Sequence, residues 1–429
     1  MAGAESLSAL PTLPGAVKLG RGAGANLVAL GASQLVGALA GILVARRLGP
    51  SGVGTLALVF GLFAVVHPVA AFTASASVIR QAKTPDVQRV FGTSLALKLL
   101  VSAGLLLATA ALSPFLSRFL DVHPALLFVA GSGFLAAAGY ETALNRLEAD
   151  GRFFARSFIL PVGPVVYLAI VALAVRDTFT AAVATVAGSF AMTLVALPHL
   201  RGVWPVLDRE VSAFLWRIGS RLVVGDLLFT GLLWFDTFCV SWFLGKAEAG
   251  IYQTAYNLAF LLVIGSTVLE IALIPMLARA RAAGDALAST YHAGSIFALA
   301  LAVVAFAAIV PLGPLLLGLY GPAFVAAYPS LVVLLAMGTF GALFFPVKAV
   351  LAAVERPDVT LRITALEVAV NVPLNIVLIP RMGVLGAAIA AAVAFGVGAA
   401  AGWWSVRRLT GLLPFPAPRE WWDIARRAA

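Results

Sequence analysis

The segment from Asn371 to Trp404 reads NVPLNIVLIPRMGVLGAAIAAAVAFGVGAAAGWW and gives the clearest indication of the fold. Arg381 is its only charged residue, and it separates two long apolar runs. A transmembrane helix needs about 20 mostly apolar residues, because the bilayer core offers no hydrogen bonds to exposed backbone groups. The stretch therefore predicts two consecutive membrane-spanning helices joined by a short turn.

Similar apolar runs fill the whole chain of 429 residues. Hydrophobic residues make up 62% and charged residues 11%, whereas a soluble globular chain has about 45–50% and about 25%. This composition excludes a soluble enzyme and a disordered protein, and the single cysteine, Cys239, excludes an intramolecular disulfide. Twelve runs are long enough to cross a membrane: 23–45, 54–79, 91–112, 124–143, 157–175, 179–199, 219–243, 250–277, 292–319, 327–353, 362–380 and 383–405. The sequence thus predicts an all-α polytopic membrane protein with twelve transmembrane helices.

Basic residues predict the orientation of these helices. If the N-terminus is cytoplasmic, most of the 29 lysines and arginines lie in cytoplasmic loops, as the positive-inside rule requires. The outer loops then hold only Arg46, Arg47, Arg118, Arg176, Lys246 and Arg381. We therefore predict a multi-pass protein of the cell inner membrane with both termini in the cytoplasm. Since the formal net charge of +10 belongs to this topology, a nucleic-acid partner is not expected.

A Leu-Gly-x4-Gly motif occurs twice, at Leu48–Gly54 and at Leu244–Gly250. Further short matches follow in the same order and at similar offsets, which is the pattern that a diverged duplication leaves behind. With an even number of spans in each copy, both copies enter the membrane in the same direction, and we predict two pseudo-symmetric six-helix bundles around a central cavity. The predicted division is an N-terminal half at 1–200, a cytoplasmic linker at 201–217, a C-terminal half at 218–405 and a cytoplasmic tail at 406–429.

Four motifs carry a resemblance to a known family. They are Ala45–Pro50 (ARRLGP), Gly250–Tyr256 (GIYQTAY), Tyr320–Phe324 (YGPAF) and Asn371–Ala388. With them the chain resembles the polysaccharide (oligosaccharide) flippases of O-antigen type. These flippases belong to the multidrug/oligosaccharidyl-lipid/polysaccharide exporter superfamily, which also holds the multidrug/toxin-extrusion antiporters and the lipid II flippases.

The resemblance implies a transporter rather than an enzyme, with no cofactor. It implies that undecaprenyl-diphosphate-linked oligosaccharide is flipped across the inner membrane by alternating access, for lipopolysaccharide and other cell-surface polysaccharide biosynthesis. The implied partners are the lipid-linked oligosaccharide, membrane lipids and a polysaccharide polymerase or export partners. A cation-coupled multidrug/toxin-extrusion antiporter of the same fold is the alternative.

Two lysines inside the spans are the first candidates for substrate binding. Each charge in a span costs about 2.5–3.5 kcal/mol at the helix centre, so Lys98 and Lys348, one from each predicted half, need a reason to be there. Both could hold a diphosphate as point charges. Snorkelling towards the interface is a second interpretation, and an ion pair with Glu270 at a similar depth is a third.

Other candidates would complete the substrate site. Arg21, Arg80 and Arg221 could form its mouth, while Asn26 and Asn257 could bind sugar hydroxyls. For the two arginines at helix ends, Arg80 and Arg221, snorkelling is the alternative. In relatives the position of Asn257 often carries an arginine, so the resemblance implies that another cation neutralises the diphosphate here.

Acidic residues in the spans are candidates for ion coupling. Asp236 is the best of them because its side chain is too short to reach the interface, and Asp226, Glu270 and Glu367 are further candidates. Hydrogen bonding between helices is the alternative for these carboxyls. The amides of Asn371 and Asn375, like those of Asn26 and Asn257, could line a sugar-binding cavity, and hydrogen bonding between helices is the more common explanation for amides in spans. His67 is interpreted as a core histidine rather than a proton relay. No metal-ligand spacing, nucleotide-binding motif or catalytic set is found, so no metal or catalytic residue is predicted.

Overall fold

A computed structural model describes the backbone of residues 14–283 and 287–415, and the side chains of residues 28–263, 273, 276, 277 and 287–415. Within these ranges the regular structure is entirely helical. The helices are α1 (Pro14–Ala70), α2 (Ala74–Lys83), α3 (Val87–Leu120), α4 (Pro124–Ala149), α5 (Phe153–Ile159), α6 (Val162–Ala174), α7 (Thr178–Ala196), α8 (Arg209–Leu244), α9 (Lys246–Ala283), α10 (Leu287–Tyr320), α11 (Tyr328–Ala353), α12 (Pro357–Met382) and α13 (Val384–Thr410). Short 3-10 helices occupy Leu197–Leu200 and Pro322–Ala327.

Most of these helices have the length and composition of membrane spans. In the described part of the chain, 10 helices are long and apolar enough to cross a membrane. The first of these, Val28–Lys83, has 56 residues and so exceeds the thickness of one bilayer. Gly49 breaks α1 with a φ of 65°, a backbone conformation that residues with a Cβ rarely adopt. The prediction of an all-α multi-pass membrane protein is therefore confirmed.

The chain forms two compact units whose boundaries lie inside helices. The first unit comprises Met1–Gly41 and His67–Val223, and the second comprises Ile42–Val66 and Val224–Ala429. Both α1 and α8 run continuously from one unit into the other. These bounds differ from the predicted halves at 1–200 and 218–405, and the division into symmetric halves stays a prediction.

In the first unit, α4 packs against α3 and α7, and α6 packs against α7. The core between these helices includes the buried side chains of Phe91, Leu147 and Ile159. The backbones of α6 and α7 meet at Gly163 and Gly188, where a Cβ on Gly188 would lie 2.6 Å from the Gly163 carbonyl oxygen. Such close approach through small residues is how helices gain packing contacts in a membrane.

The predicted linker begins as an extended segment that is bound to the start of α3. The Trp204 amide donates to Gln88 Oε1 at 2.9 Å, and Gln88 Nε2 donates back to the Trp204 carbonyl at 3.1 Å. The Val206 amide donates to the Gly92 carbonyl at 3.3 Å. We call residues 201–208 the strap, and α8 begins directly after it at Arg209.

In the second unit, α11 packs against α9 and α13, and α12 packs against α13. Its core includes Tyr252, Leu334 and Ala391, all of which are almost completely buried. The long α8 supplies Asp226 and Asp236 to this unit. The polar side chains discussed next are set into this apolar surrounding.

Candidate functional site

Asp236 lies at the centre of a buried polar cluster in the second unit and is 2% exposed. Its Oδ1 accepts hydrogen bonds from Asn371 Nδ2 at 2.9 Å and from Asn375 Nδ2 at 2.6 Å. Its Oδ2 accepts a third from the Tyr252 hydroxyl at 2.9 Å. Three helices, α8, α9 and α12, thus converge on one carboxyl group.

One oxygen of this cluster, in the side-chain amide of Asn375, receives no hydrogen bond from the described residues. Asn375 Nδ2 also approaches the Asn371 side-chain oxygen at 3.0 Å. Asn375 Oδ1 is buried and has no hydrogen-bond partner among the described residues. Because a buried acceptor without a partner is costly, it needs an explanation. A carboxylate beside amide oxygens is the donor set that a hard cation prefers.

The predicted candidate Asn257 lies at the end of a hydrogen-bonded row along α9. Thr237, next to Asp236 on α8, donates to Gln253 Oε1 at 2.6 Å. Gln253 Nε2 then donates to Asn257 Oδ1 at 2.9 Å. Thr237 and Gln253 are buried, whereas Asn257 is exposed. Asn257 can therefore still offer its amide nitrogen to another group.

Lys348 has an aromatic and acidic environment in the second unit. Its Nζ lies 5.2 Å from the ring centre of Phe345 and 5.8 Å from that of Phe229, within cation–π range. It also interacts electrostatically with the carboxyls of Asp226 and Glu367. Two of the predicted acidic candidates thus share one lysine.

Glu367 itself is almost completely buried, at 2% exposure, against α13. A Cβ on Gly398 would collide with Glu367 Oε1, so the glycine makes room for the carboxyl group. The side chain of Glu270, the predicted partner of the span lysines, lies outside the described residues.

Lys98, in the first unit, is fully buried and forms an ion pair. Its Nζ donates to Glu141 Oε2 at 2.9 Å. The other oxygen of the same carboxyl, Oε1, lies 2.7 Å from His67 Nε2. The partner of Lys98 is therefore Glu141 of α4, which the sequence analysis did not single out.

The arginines expected at the mouth of the site differ in their surroundings. Arg80 Nη2 donates to Glu210 Oε1 at 2.6 Å, and its guanidinium lies 5.5 Å from the Phe214 ring centre. Arg221 is exposed. The side chains of Arg21 and Asn26 lie outside the described residues.

A second ion pair, besides that of Arg80 with Glu210, holds the end of the strap. Arg89 Nε and Nη2 donate to Asp208 Oδ2 at 3.0 and 2.8 Å. A hydrogen bond from the Val211 backbone amide, followed by the Arg89 guanidinium, lowers the pKa of Asp208 below its ordinary value. Asp208 is therefore held as a carboxylate over the neutral pH range.

The structure thus groups the charged and amide side chains of the described spans into three polar clusters. Asp236 joins the two asparagines of α12, Lys348 joins Asp226 and Glu367, and Lys98 joins Glu141 and His67. Lys98 belongs to the first unit and Lys348 to the second. In the described residues, no group of three or more His, Cys, Asp or Glu side chains could hold a metal ion.

The fold is shared with solved structures of membrane transporters. It is similar to the inward-facing structure of a multidrug resistance MATE family transporter of the MOP superfamily, with a TM-score of 0.76 and 16% identity over 90% of this chain and 98% of that chain. It is also similar to the lipid II flippase MurJ in an inward closed conformation, with a TM-score of 0.78 and 10% identity over 89% of this chain and 87% of that one. At these identities the likeness shows the fold.

The sequence comparisons then give the family. The profile described as "Polysaccharide biosynthesis protein" matches residues 43–329, and the chain belongs to this family. A relative named "Probable flippase AglR", from Haloferax volcanii, is 26% identical over 402 residues, which cover 89% of this chain and 82% of the relative. A second one from the same organism, "Probable low-salt glycan biosynthesis flippase Agl15", is 24% identical over 167 residues, which cover 38% of this chain and 35% of the relative. The family resemblance carried by the four motifs is confirmed.

Proposed function

We propose that the protein is a flippase that moves a lipid-linked oligosaccharide across a membrane for cell-surface polysaccharide biosynthesis. The observation that carries this proposal is the match to a probable flippase over 89% of the chain. The lipid II flippase fold supports the same conclusion. Buried ion pairs and carboxyls within apolar helices add to this support, because such groups mark transport pathways in membrane proteins.

The finer description follows the family resemblance. The substrate is an undecaprenyl-diphosphate-linked oligosaccharide, the protein lies in the inner membrane with both termini cytoplasmic, and two six-helix halves alternate access to a central cavity. A count of twelve spans is supported by the 56-residue stretch Val28–Lys83, which is long enough for two crossings, and by the 38 residues of α9. A polysaccharide polymerase or export protein would receive the flipped product.

For the substrate site, we retain Lys98 and Lys348 as the diphosphate ligands. Arg21, Arg80 and Arg221 would form the mouth, and Asn26 and Asn257 would bind sugar hydroxyls. The contacts set a condition on this assignment, because Lys98 can reach an anion only if it leaves Glu141. Lys348, which is held by aromatic faces and carboxyls, would exchange the carboxyls for the diphosphate.

For the coupling ion, we retain Asp236 as the first candidate, with Asp226 and Glu270 as further ones. The carboxylate of Asp236 offers oxygen ligands to a sodium ion or a place for a proton, together with Asn375 Oδ1, which has no partner among the described residues. Transport would then depend on a cation gradient.

A leaflet assay tests the proposed function. In cells that lack the protein, lipid-linked oligosaccharide should accumulate in the cytoplasmic leaflet, and the wild-type gene should restore export. The double variant Lys98→Ala/Lys348→Ala should not restore it at normal protein levels, whereas the variant of an exposed lysine, Lys83→Ala, should. Normal export by the double variant would contradict the diphosphate assignment. Drug resistance on expression, without any change in lipid-linked sugars, would instead indicate the antiporter.

A further inference from the structure

Glu141 shares one carboxyl group between a lysine and a histidine. Its Oε2 accepts from Lys98 Nζ at 2.9 Å, and its Oε1 lies 2.7 Å from His67 Nε2. The three residues come from α3, α4 and α1, and all belong to the first unit. Because each oxygen of the Glu141 carboxyl group has its own nitrogen partner, the cluster is a network of three residues rather than a simple ion pair.

The three side chains of the cluster differ in how far they are exposed. The side chain of Lys98 is 0% exposed, that of Glu141 is 16% exposed and that of His67 is 39% exposed. The ring of Phe134 stacks against His67 at a centroid distance of 6.4 Å. The imidazole of His67 is therefore the most accessible member of the cluster.

The charge of the cluster depends on this one imidazole. Lys98 and Glu141 cancel, so the cluster is neutral with neutral His67 and carries one positive charge when His67 is protonated. Around Glu141, the charged or titratable groups in the described part of the chain are Lys98 from α3, His67 from α1 and the neighbouring Tyr140 of α4. Histidine is the side chain whose charge changes most readily near neutral pH.

We propose that the Lys98–Glu141–His67 cluster is a proton-binding site, in which His67 takes up one proton and Glu141 holds it. Glu141 Oε1 touches the imidazole and supplies the counter-charge for a protonated ring, while Oε2 remains bound to the Lys98 ammonium. Proton uptake gives Glu141 a second cation and so weakens its hold on Lys98. If the proposed function is correct, the proton thereby makes Lys98 available to an anionic substrate, and transport is coupled to proton uptake in the first unit.

Histidine titration in the full-length protein tests the site without any substrate. The chain has four histidines, so nitrogen NMR of histidine-labelled protein in nanodiscs can resolve them, and His67→Gln identifies the His67 signal. Glu141→Gln should lower the titration midpoint of His67 by about one pH unit, a roughly tenfold loss of proton affinity. Lys98→Met should raise the midpoint, because it removes the opposing positive charge.

A matched control and a fallback variant keep the test decisive. Glu148→Gln changes another glutamate of α4, which pairs with Arg156 outside the cluster, and should leave the His67 midpoint unchanged. If the single variants do not accumulate, Lys98→Met/Glu141→Gln removes both charges together and should still lower the midpoint, since the carboxylate touches the imidazole and the ammonium does not. A midpoint that is the same in wild type and in the Glu141 variants, or a His67 that keeps one charge state from pH 5 to pH 9, would overturn the proposal.

Measurements of transport distinguish this proposal from the proposed function. Oligosaccharide export by His67→Gln should lose its pH dependence, while Glu148→Gln should retain it. A His67 midpoint that responds to Glu141 in a protein that exports no oligosaccharide would leave the proton site standing and refute the flippase.

Discussion

Gly54 and Gly250, the last residues of the two Leu-Gly-x4-Gly motifs, lie backbone against backbone in the second unit. A Cβ on Gly54 would collide with the Lys246 carbonyl and lie 3.0 Å from the Gly250 nitrogen. A Cβ on Gly250 would collide with the Pro50 carbonyl and lie 2.8 Å from the Gly54 nitrogen. Each motif thus packs on the other, and there is no room for a side chain at either glycine.

Replacing either glycine should destabilise the protein. We expect Gly54→Ala or Gly250→Ala to cost about 1–3 kcal/mol, because the added methyl group forces two backbones apart. Thermal unfolding in detergent measures this loss. Gly231→Ala is the matched control, since nothing lies within 4 Å of a Cβ there and α8 should tolerate alanine. Equal melting temperatures for Gly54→Ala and Gly231→Ala would contradict the close packing.

Replacing one partner of the Lys98–Glu141 pair should destabilise the protein more than replacing both. Lys98→Met leaves a buried carboxylate without its main counter-charge, for which a loss of about 3–5 kcal/mol is expected, and Glu141→Gln leaves the buried ammonium unpaired. The double variant Lys98→Met/Glu141→Gln should recover most of that loss. A double-mutant cycle of unfolding free energies measures the coupling, and additive losses would show that the two residues act independently.

Asp236→Asn should impair coupling through the loss of a charged acceptor. Both asparagine amides of α12 and the Tyr252 hydroxyl donate to this carboxyl, so the charge is central to the cluster. We expect export by the variant to become insensitive to the sodium gradient and to fall at least tenfold. Asp358→Asn, on the same α12 but half exposed and paired with Arg356, is the control that should export normally. Export by Asp236→Asn that still depends on the sodium gradient would exclude Asp236 as the residue that couples transport to sodium.

Acid should loosen the strap through Asp208. The folded state lowers the pKa of this carboxyl, so its contribution to stability is complete above the ordinary aspartate range, near pH 4, and is lost as pH falls through the lower folded value. Asp208→Asn should therefore flatten the fall of the melting temperature in acid. A melting profile that is as steep in Asp208→Asn as in wild type would show that other carboxyls dominate.

The apolar runs were sufficient to predict the helical membrane fold, because span length and backbone hydrogen bonding are local requirements. The repeat motif was also visible, but its meaning as a contact between Gly54 and Gly250 required the tertiary structure. Unit boundaries were not predictable, since α8 begins inside the predicted linker, at Arg209, and continues past the boundary at Val223. A helix can end one compact unit and begin the next without any change in its hydrogen-bond pattern.

For the candidate sites, the sequence indicated which charges were buried but not their partners. Glu141 was missed because it lies close to the predicted end of its span, at residue 143, whereas α4 continues to Ala149. For Asn371 and Asn375, sugar binding and hydrogen bonding between helices were both open, and their contacts with Asp236 are of the second kind. Partner identity depends on which helices are neighbours, and residues 135 and 139 positions apart carry no local signal of contact.

The contacts between the strap and α3 also affect how fast proteases cleave the protein. An extended segment between helices is normally a preferred cleavage site, because a protease binds its substrate as an added strand. Here the amides of Trp204 and Val206 and the carbonyl of Trp204 already have partners on α3. Cleavage between residues 201 and 208 therefore requires that the segment first leaves α3, and its rate reports how often the two separate.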